Sequence, residues 1–285
     1  MIKITRARFL KHSALGFGAA LLLAACGGEE PAATSDDSAA SDPATAETAS
    51  GDTWTVGTEP AFPPFESQDA DGELEGFDID IMRAIGEQAG AEVEFSSLPF
   101  DGLIPALQNG SVDAAISAMT ITEERAQTVD FSRPYFKAGL AIAVEEENTE
   151  IQSFEDLQNK RIAVQLGTTG AEEATKIEGA EISQFDSAPL ALQELANGNV
   201  DAVINDAPVT LDAINSGNIS GLKVVGELLT EEYYGIALPQ GSENVEAVNA
   251  ALGEIIENGT YAEIYQKWFG SEPSGELPES VDAAL

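Results

Sequence analysis

The sequence predicts an α/β protein built as two similar lobes, each a mostly parallel sheet flanked by helices. Three observations carry this. From Trp54 onward, short β-branched or apolar runs alternate with segments of helical periodicity, the pattern of strand and helix in turn. The stretch GFDIDIMRAIGEQAG places Phe77, Ile81, Met82, Ile85 and Ala89 on one helical face. The unit LQNGSVDAAI, Leu107 to Ile116, returns 88 positions later as LANGNVDAVI, Leu195 to Ile204. A tandem array would show more copies at a shorter period, so two copies point to two lobes.

The runs WTVGT, EVEFSSL, DAAISAM, LAIAVE, RIAVQL, DAVIN, LKVVG and YYGIALP are the expected strands. Each copy of the repeat reads as a helix end, a turn and a buried strand. In the first, helix residues around Pro105 to Gln108 stop at a left-handed cap, Asn109-Gly110, before VDAAIS; the second uses Asn197-Gly198 before VDAVIN. After the first strand come Ser117 to Thr120 and then TITEER, where Thr120 and Glu123 have capping-box spacing and Arg125 falls in the first turn. After the second, Asn205-Asp206-Ala207-Pro208 opens another helix.

A third element lies near them in the pattern. RIAVQL runs into Gly167-Thr168-Thr169-Gly170 and the helix AEEATK, a turn that leaves N–H groups unpaired and suits a carboxylate. It has no Gly-Lys-Ser/Thr ending and is a poor phosphate loop. Ligands of open α/β sheets bind beyond the carboxyl ends of strands. One lobe then offers a cation there, Arg125, and the other an anion, Asp206. A ligand matched to both is an α-amino acid.

The start of the chain is expected to send the protein out of the cytoplasm, to the periplasmic or outer face of the cell membrane. Lys3, Arg6, Arg8 and Lys11 precede an apolar run from Ala14 to Ala25, the pattern of a signal peptide and too short to span a membrane. TRARFLK resembles the twin-arginine export signal, but Ala7 stands at the second arginine position, so the export route stays open. Leu23-Ala24-Ala25-Cys26 resembles a bacterial lipobox, whose cysteine is lipidated after cleavage. Residues 26–53 carry no aromatic and no basic side chain, so they are expected to form a disordered acidic tether. At about 5 to 6 Å × √n for a flexible chain, it reaches a few tens of ångströms from the membrane.

Cleavage before Cys26 also limits the chemistry. It discards His12, the only histidine, and lipidation consumes the only cysteine. Nucleophilic catalysis by Cys-His or Ser-His-Asp and zinc sites of His or Cys are thereby excluded; no metal and no cofactor is expected. The four basic residues lost leave nine against 50 acidic ones, a formal charge of −41. Nucleic acid is an improbable partner for such a surface.

With these residues in view, the sequence resembles the polar amino-acid family of bacterial solute-binding proteins, the extracytoplasmic receptors of ABC importers. GFDIDIMRAIGEQA, ISAMTITEERAQTVDFSRPYF, both copies of the repeat and ENGTYAEIYQKWFG match family blocks, and the likeness runs from Trp54 to Gly270. It implies the two-lobed type II periplasmic-binding-protein fold. Lobe 1 takes residues 54–138 and 235–270, lobe 2 residues 139–234, and a tail, 271–285, frays. The crossovers fall near Ala138 to Leu140 and Glu232 to Gly235, and the lobes close on the ligand.

The resemblance also implies roles. Arg125 holds the ligand carboxylate, a fit for a bidentate guanidinium, helped by the Thr120 hydroxyl and the backbone N–H groups of Thr168 and Thr169. Asp206 and the Ala118 carbonyl hold the ammonium. Phe62 and Phe100 match positions where relatives stack rings on the ligand side chain, although core packing is the usual fate of Phe. Glu59 and Gln165 match positions at the far end of the ligand, where a carboxylate selects a cationic or amide side chain and repels an anionic one. Some glutamine-binding relatives have lysine at the position of Gln165 and some relatives histidine at that of Asn205, so the side-chain pocket differs from theirs. The implied protein is a monomeric, lipid-anchored carrier that passes a basic amino acid or glutamine to a membrane permease. An enzyme on the same fold, such as a periplasmic dehydratase of a cyclic acid, is the alternative.

Overall fold

The computed structural model describes residues 52–273 and 275–285. The signal segment, Cys26 and all but the end of the tether lie outside these residues. The first strand begins at Thr53, one residue inside the stretch assigned to the tether.

Two five-stranded sheets form the two lobes. In the first, the strands lie in the order Glu92–Ser97, Thr53–Thr58, Ala114–Ala115, Ala237–Pro239, Val129–Phe131. In the second the order is Glu181–Phe185, Arg161–Gln165, Ala202–Asp206, Leu140–Glu145, Leu222–Val225. The first three strands of each sheet are parallel, and the fourth is antiparallel to its neighbours. The repeat supplies the third strand of both sheets. Gly110 and Gly198 follow the preceding helices, Phe100–Gln108 and Ala188–Ala196, with φ of 72° and 74°. That left-handed backbone favours glycine and turns the chain sharply into the strand.

Both faces of the inner strands of lobe 2 are covered, so Arg161–Gln165, Ala202–Asp206 and Leu140–Glu145 are nearly all buried, while the edge strands Glu92–Ser97 and Glu181–Phe185 bury no residue. In lobe 1 the helix Phe77–Ala89 sets Phe77, Ile81, Met82 and Ile85 into the core, while Ala89, expected on that face, is exposed at the last turn. Phe77 meets the rings of Phe65, Phe136, Tyr261 and Phe269 edge-on, a geometry favoured by the ring quadrupole. The second lobe is aliphatic, with Ile142, Val144, Ile162, Val164 and Ile204 wholly or almost wholly buried.

Between the sheets runs a two-stranded antiparallel ribbon, Phe136–Ala138 against Glu232–Tyr234. Gly139 follows it, and a Cβ there would lie 2.3 Å from the Thr230 carbonyl oxygen. The two crossovers therefore approach backbone to backbone. Within the tail expected to fray, 271–285, residues 275–285 form no strand or helix but pack down: Leu277 on the aromatic core, Val281 and Ala284 on the apolar cluster that holds Leu103, Met119 and Phe131. Their apolar side chains anchor an otherwise polar tail.

Candidate functional site

The carboxyl ends of the lobe 1 strands gather a set of buried polar groups. Thr53–Thr58 leads into Glu59, which is 5% exposed, and then into buried Phe62. The repeat strand leads into Ser117-Ala118-Met119-Thr120. Ala118 has a φ of 45°, left-handed for a non-glycine residue, and its N–H donates to Asp78 Oδ2 at 2.7 Å. The following helix, Glu123–Ala126, is capped by Thr122, whose hydroxyl accepts from the Arg125 N–H at 3.2 Å. The capping pair expected from Thr120 and Glu123 does not form. Thr120 instead donates its hydroxyl to Glu232 Oε2 at 2.7 Å, because it faces the crossover rather than the helix.

Arg125 projects from that single turn and is 7% exposed. Its Nη1 donates to the Thr120 carbonyl at 2.7 Å and its Nη2 to the Gly167 carbonyl of lobe 2 at 3.0 Å. The guanidinium carbon lies 5.4 Å from the centre of the Phe100 ring, within cation–π range. Burial lowers the proton affinity of the guanidinium, and the nearby carboxylates of Glu172, Glu232 and Asp206 raise it. Arginine stays charged under such opposing effects.

Lobe 2 presents the opposite wall. Thr168 caps the helix Thr169–Ala174: its hydroxyl accepts from the Ala171 N–H at 3.2 Å and donates to the Gln165 carbonyl at 2.8 Å. The Thr169 hydroxyl donates to Glu232 Oε2 at 3.1 Å. Gln165 crosses the cleft, its Nε2 donating to Glu59 Oε2 at 2.7 Å. Asp206 ends the repeat strand, 5% exposed, and accepts the Tyr234 hydroxyl.

Both of these acids are hard to ionise. Burial pushes Glu59 up to about 7, against the Gln165 hydrogen bond and with the added charge of Asp101. Burial likewise pushes Asp206 up to about 7; Glu232 adds repulsion, while Tyr234 and Arg125 oppose it. Desolvation outweighs hydrogen bonding in each.

One cavity between the lobes is lined by nine of the ten residues nominated from sequence, Phe62, Phe100, Ala118, Thr120, Arg125, Gln165, Thr168, Thr169 and Asp206. The tenth, Glu59, joins it through Gln165. Sequence reasoning missed two members. Ser117 lines the same cavity, and Glu232, from the crossover, is 7% exposed and holds the hydroxyls of Thr120 and Thr169 together. Among the described residues no group of acidic, His or Cys side chains could hold a metal ion, and no helix is long and apolar enough to cross a membrane.

Two α/β lobes, a double crossover and a polar cleft between strand ends define the type II periplasmic-binding-protein fold. The chain belongs to the bacterial extracellular solute-binding proteins, family 3, whose profile matches residues 54–271. It is similar to a probable histidine-binding protein of Neisseria gonorrhoeae, 35% identical over 89% of this chain and 93% of that one. Among solved structures it is similar to an ancestral arginine-binding protein bound to arginine, with 48% identity, a TM-score of 0.75, and coverage of 78% of this chain and 100% of that one. It is also similar to an ancestral amino acid-binding protein that is a precursor of cyclohexadienyl dehydratase, with 41% identity, a TM-score of 0.71, and coverage of 76% and 95%.

Proposed function

We propose that this protein is the lipid-anchored, extracytoplasmic receptor of an ABC importer and captures a polar L-amino acid between its lobes. The observation that carries the reading is the placement of Arg125 and Asp206, of opposite charge and from different lobes, on the wall of one cavity. An α-amino acid head carries the complementary pair of charges in one rigid unit. In this reading Arg125 and the N–H groups of Thr168 and Thr169 hold the carboxylate, and the Thr120 hydroxyl, which donates to Glu232 in the structure, turns its one proton to the ligand carboxylate instead. Asp206 and the Ala118 carbonyl hold the ammonium, and the ring faces of Phe62 and Phe100 flank the side chain.

Glu59, bridged to Gln165 at the cleft, favours a basic side chain or the amide of glutamine. The arginine- and histidine-binding names of the relatives support the basic choice. Closure of the lobes would present the loaded protein, as a monomer, to a permease. Cys26 carries the anchor in this account, tested by incorporation of labelled fatty acid and its loss in Cys26→Ser.

The head-group reading is tested with L-arginine against agmatine, its decarboxylated form. Agmatine should bind at least about thirtyfold more weakly, the cost of leaving a buried charge unpaired, about 2–5 kcal/mol. Equal binding of the two would remove the carboxylate from the account. A second reading, a dehydratase of cyclic acids, draws on the raised proton affinity of Glu59, suited to general acid or base work, and on the dehydratase-precursor relative. Turnover of a cyclic carboxylic acid would establish it; an ammonium-binding Asp206 argues against it.

A further inference from the structure

Beneath the cavity lies a cluster that the binding reading does not use. Glu66 and Asp78 are wholly buried, on the turn after Phe65 and in the first turn of the helix Phe77–Ala89. Glu66 Oε1 accepts the Ser117 hydroxyl at 2.7 Å, and the same Ser117 oxygen accepts the Glu59 N–H at 3.1 Å. Asp78 Oδ2 accepts both the Ala118 N–H and the Tyr135 hydroxyl, each at 2.7 Å. The remaining oxygens, Glu66 Oε2 and Asp78 Oδ1, have no donor in the fold, and the two carboxyls lie within hydrogen-bonding reach of each other. Two buried carboxylates cannot face each other unless one carries a proton.

We infer that Glu66 and Asp78 form a positioning pair, one proton held between Glu66 Oε2 and Asp78 Oδ1, whose outer oxygens fix Ser117 and Ala118 at the cleft wall. Ala118 needs such a restraint. Its left-handed backbone is costly for an alanine, and the carbonyl assigned to the ligand ammonium depends on that conformation. The inference rests on the amino-acid reading of the cleft and adds the device that shapes its ammonium end.

Burial and the neighbouring Asp78 charge push Glu66 well above the usual carboxylate range, and burial pushes Asp78 up to about 6. Glu66 is therefore the proton carrier at neutral pH. The other groups facing the pair are Glu59, which adds repulsion to Glu66, and the hydroxyls of Tyr135, Tyr234 and Tyr261, which feel the charge of Asp78. All three tyrosines are raised by burial and stay neutral. In alkali the pair loses its proton, the carboxylates repel, and Ala118 is released.

The test compares wild type with Glu66→Gln, an isostere that keeps the acceptor for Ser117 and has no proton to lose. L-arginine affinity should match at neutral pH, and toward alkaline pH the wild type should fall about tenfold relative to the variant, the change expected for about one pKa unit of coupling. The ligand ammonium titrates equally in both and cancels. Parallel curves would overturn the inference. A second measurement needs no ligand: the infrared difference between wild type and Glu66→Gln at neutral pH should show the carbonyl stretch of one protonated carboxyl, the partly protonated Glu59 and Asp206 cancelling between the two. Its absence from that difference overturns the shared proton even if Arg125→Ala abolishes binding. Retained binding in Arg125→Ala overturns the head-group reading and leaves the infrared result standing.

Discussion

Arg125 Nη2 donates to the Gly167 carbonyl at 3.0 Å, so a side chain of the first lobe is tied to the backbone turn of the second. The same guanidinium holds the Thr120 carbonyl at 2.7 Å. In the proposed reading the same guanidinium grips the ligand carboxylate and couples that grip to closure of the lobes.

Replacing Arg125 by alanine should weaken binding of arginine, histidine and glutamine alike, because all share the carboxylate. Truncating one partner of a buried charged pair costs about 2–5 kcal/mol, a loss of at least about thirtyfold in calorimetric titration. Arg125→Lys should recover only part of it, since an ammonium cannot reproduce the planar fork. Wild-type affinity in either variant would contradict the assignment.

Glu59→Gln should separate ligands by charge. A cationic side chain loses a charge-assisted bond of about 1.5–3 kcal/mol, whereas glutamine should change by no more than about threefold, within the range of an ordinary neutral hydrogen bond. Equal losses for arginine and glutamine would mean that Glu59 does not select by charge.

Acid should weaken capture of a cationic ligand. Glu59 and Asp206 are pushed up to about 7 from ordinary values of 4.5 and 3.8, so both become neutral as pH falls through that range. A bound ammonium favours the carboxylates, and binding near pH 7 should release protons. The sign for folding is opposite: their contribution to stability is present below their ordinary values and lost as pH rises through about 7. Titrations in buffers of different ionisation enthalpy measure the release, which Asp206→Asn should reduce. Net proton uptake would contradict the scheme.

Glu232→Ala should loosen the closed cleft, because it leaves the Thr169 hydroxyl of lobe 2 without its acceptor on the crossover. Unpaired buried donors cost about 1–3 kcal/mol, and affinity should drop about tenfold. Small-angle scattering with saturating ligand should show a population that stays open. Unchanged affinity would reduce Glu232 to a packing residue.

The two-lobed architecture was legible because the repeat marks the same central strand of each sheet, with Asp206 at the end of one copy and Arg125 on the short helix that follows the other. Periodicity also found the buried face of the helix Phe77–Ala89, erring only at Ala89, where the helix runs out past its partners. Local spacing failed at Thr120: a capping pattern can be written for it and Glu123, yet Thr122 caps the helix while Thr120 answers to Glu232 from 112 positions away. Glu232, Glu66 and Asp78 were hidden for a common reason. In a chain with 50 acidic residues, nothing local distinguishes a buried carboxylate from a solvated one, and their partners come from distant segments.

Recognition of the amino-acid head through Arg125 and Asp206, as proposed above, is open to one direct measurement. Residues 27–285, expressed without Cys26, would be stripped of ligand by unfolding and refolding, then melted in the presence of each of the twenty amino acids. A ligand at one hundred times its dissociation constant stabilises a fold by about 2.7 kcal/mol. A clear upward shift is expected with a basic amino acid or glutamine and none with glutamate. No shift with any of the twenty would contradict that recognition.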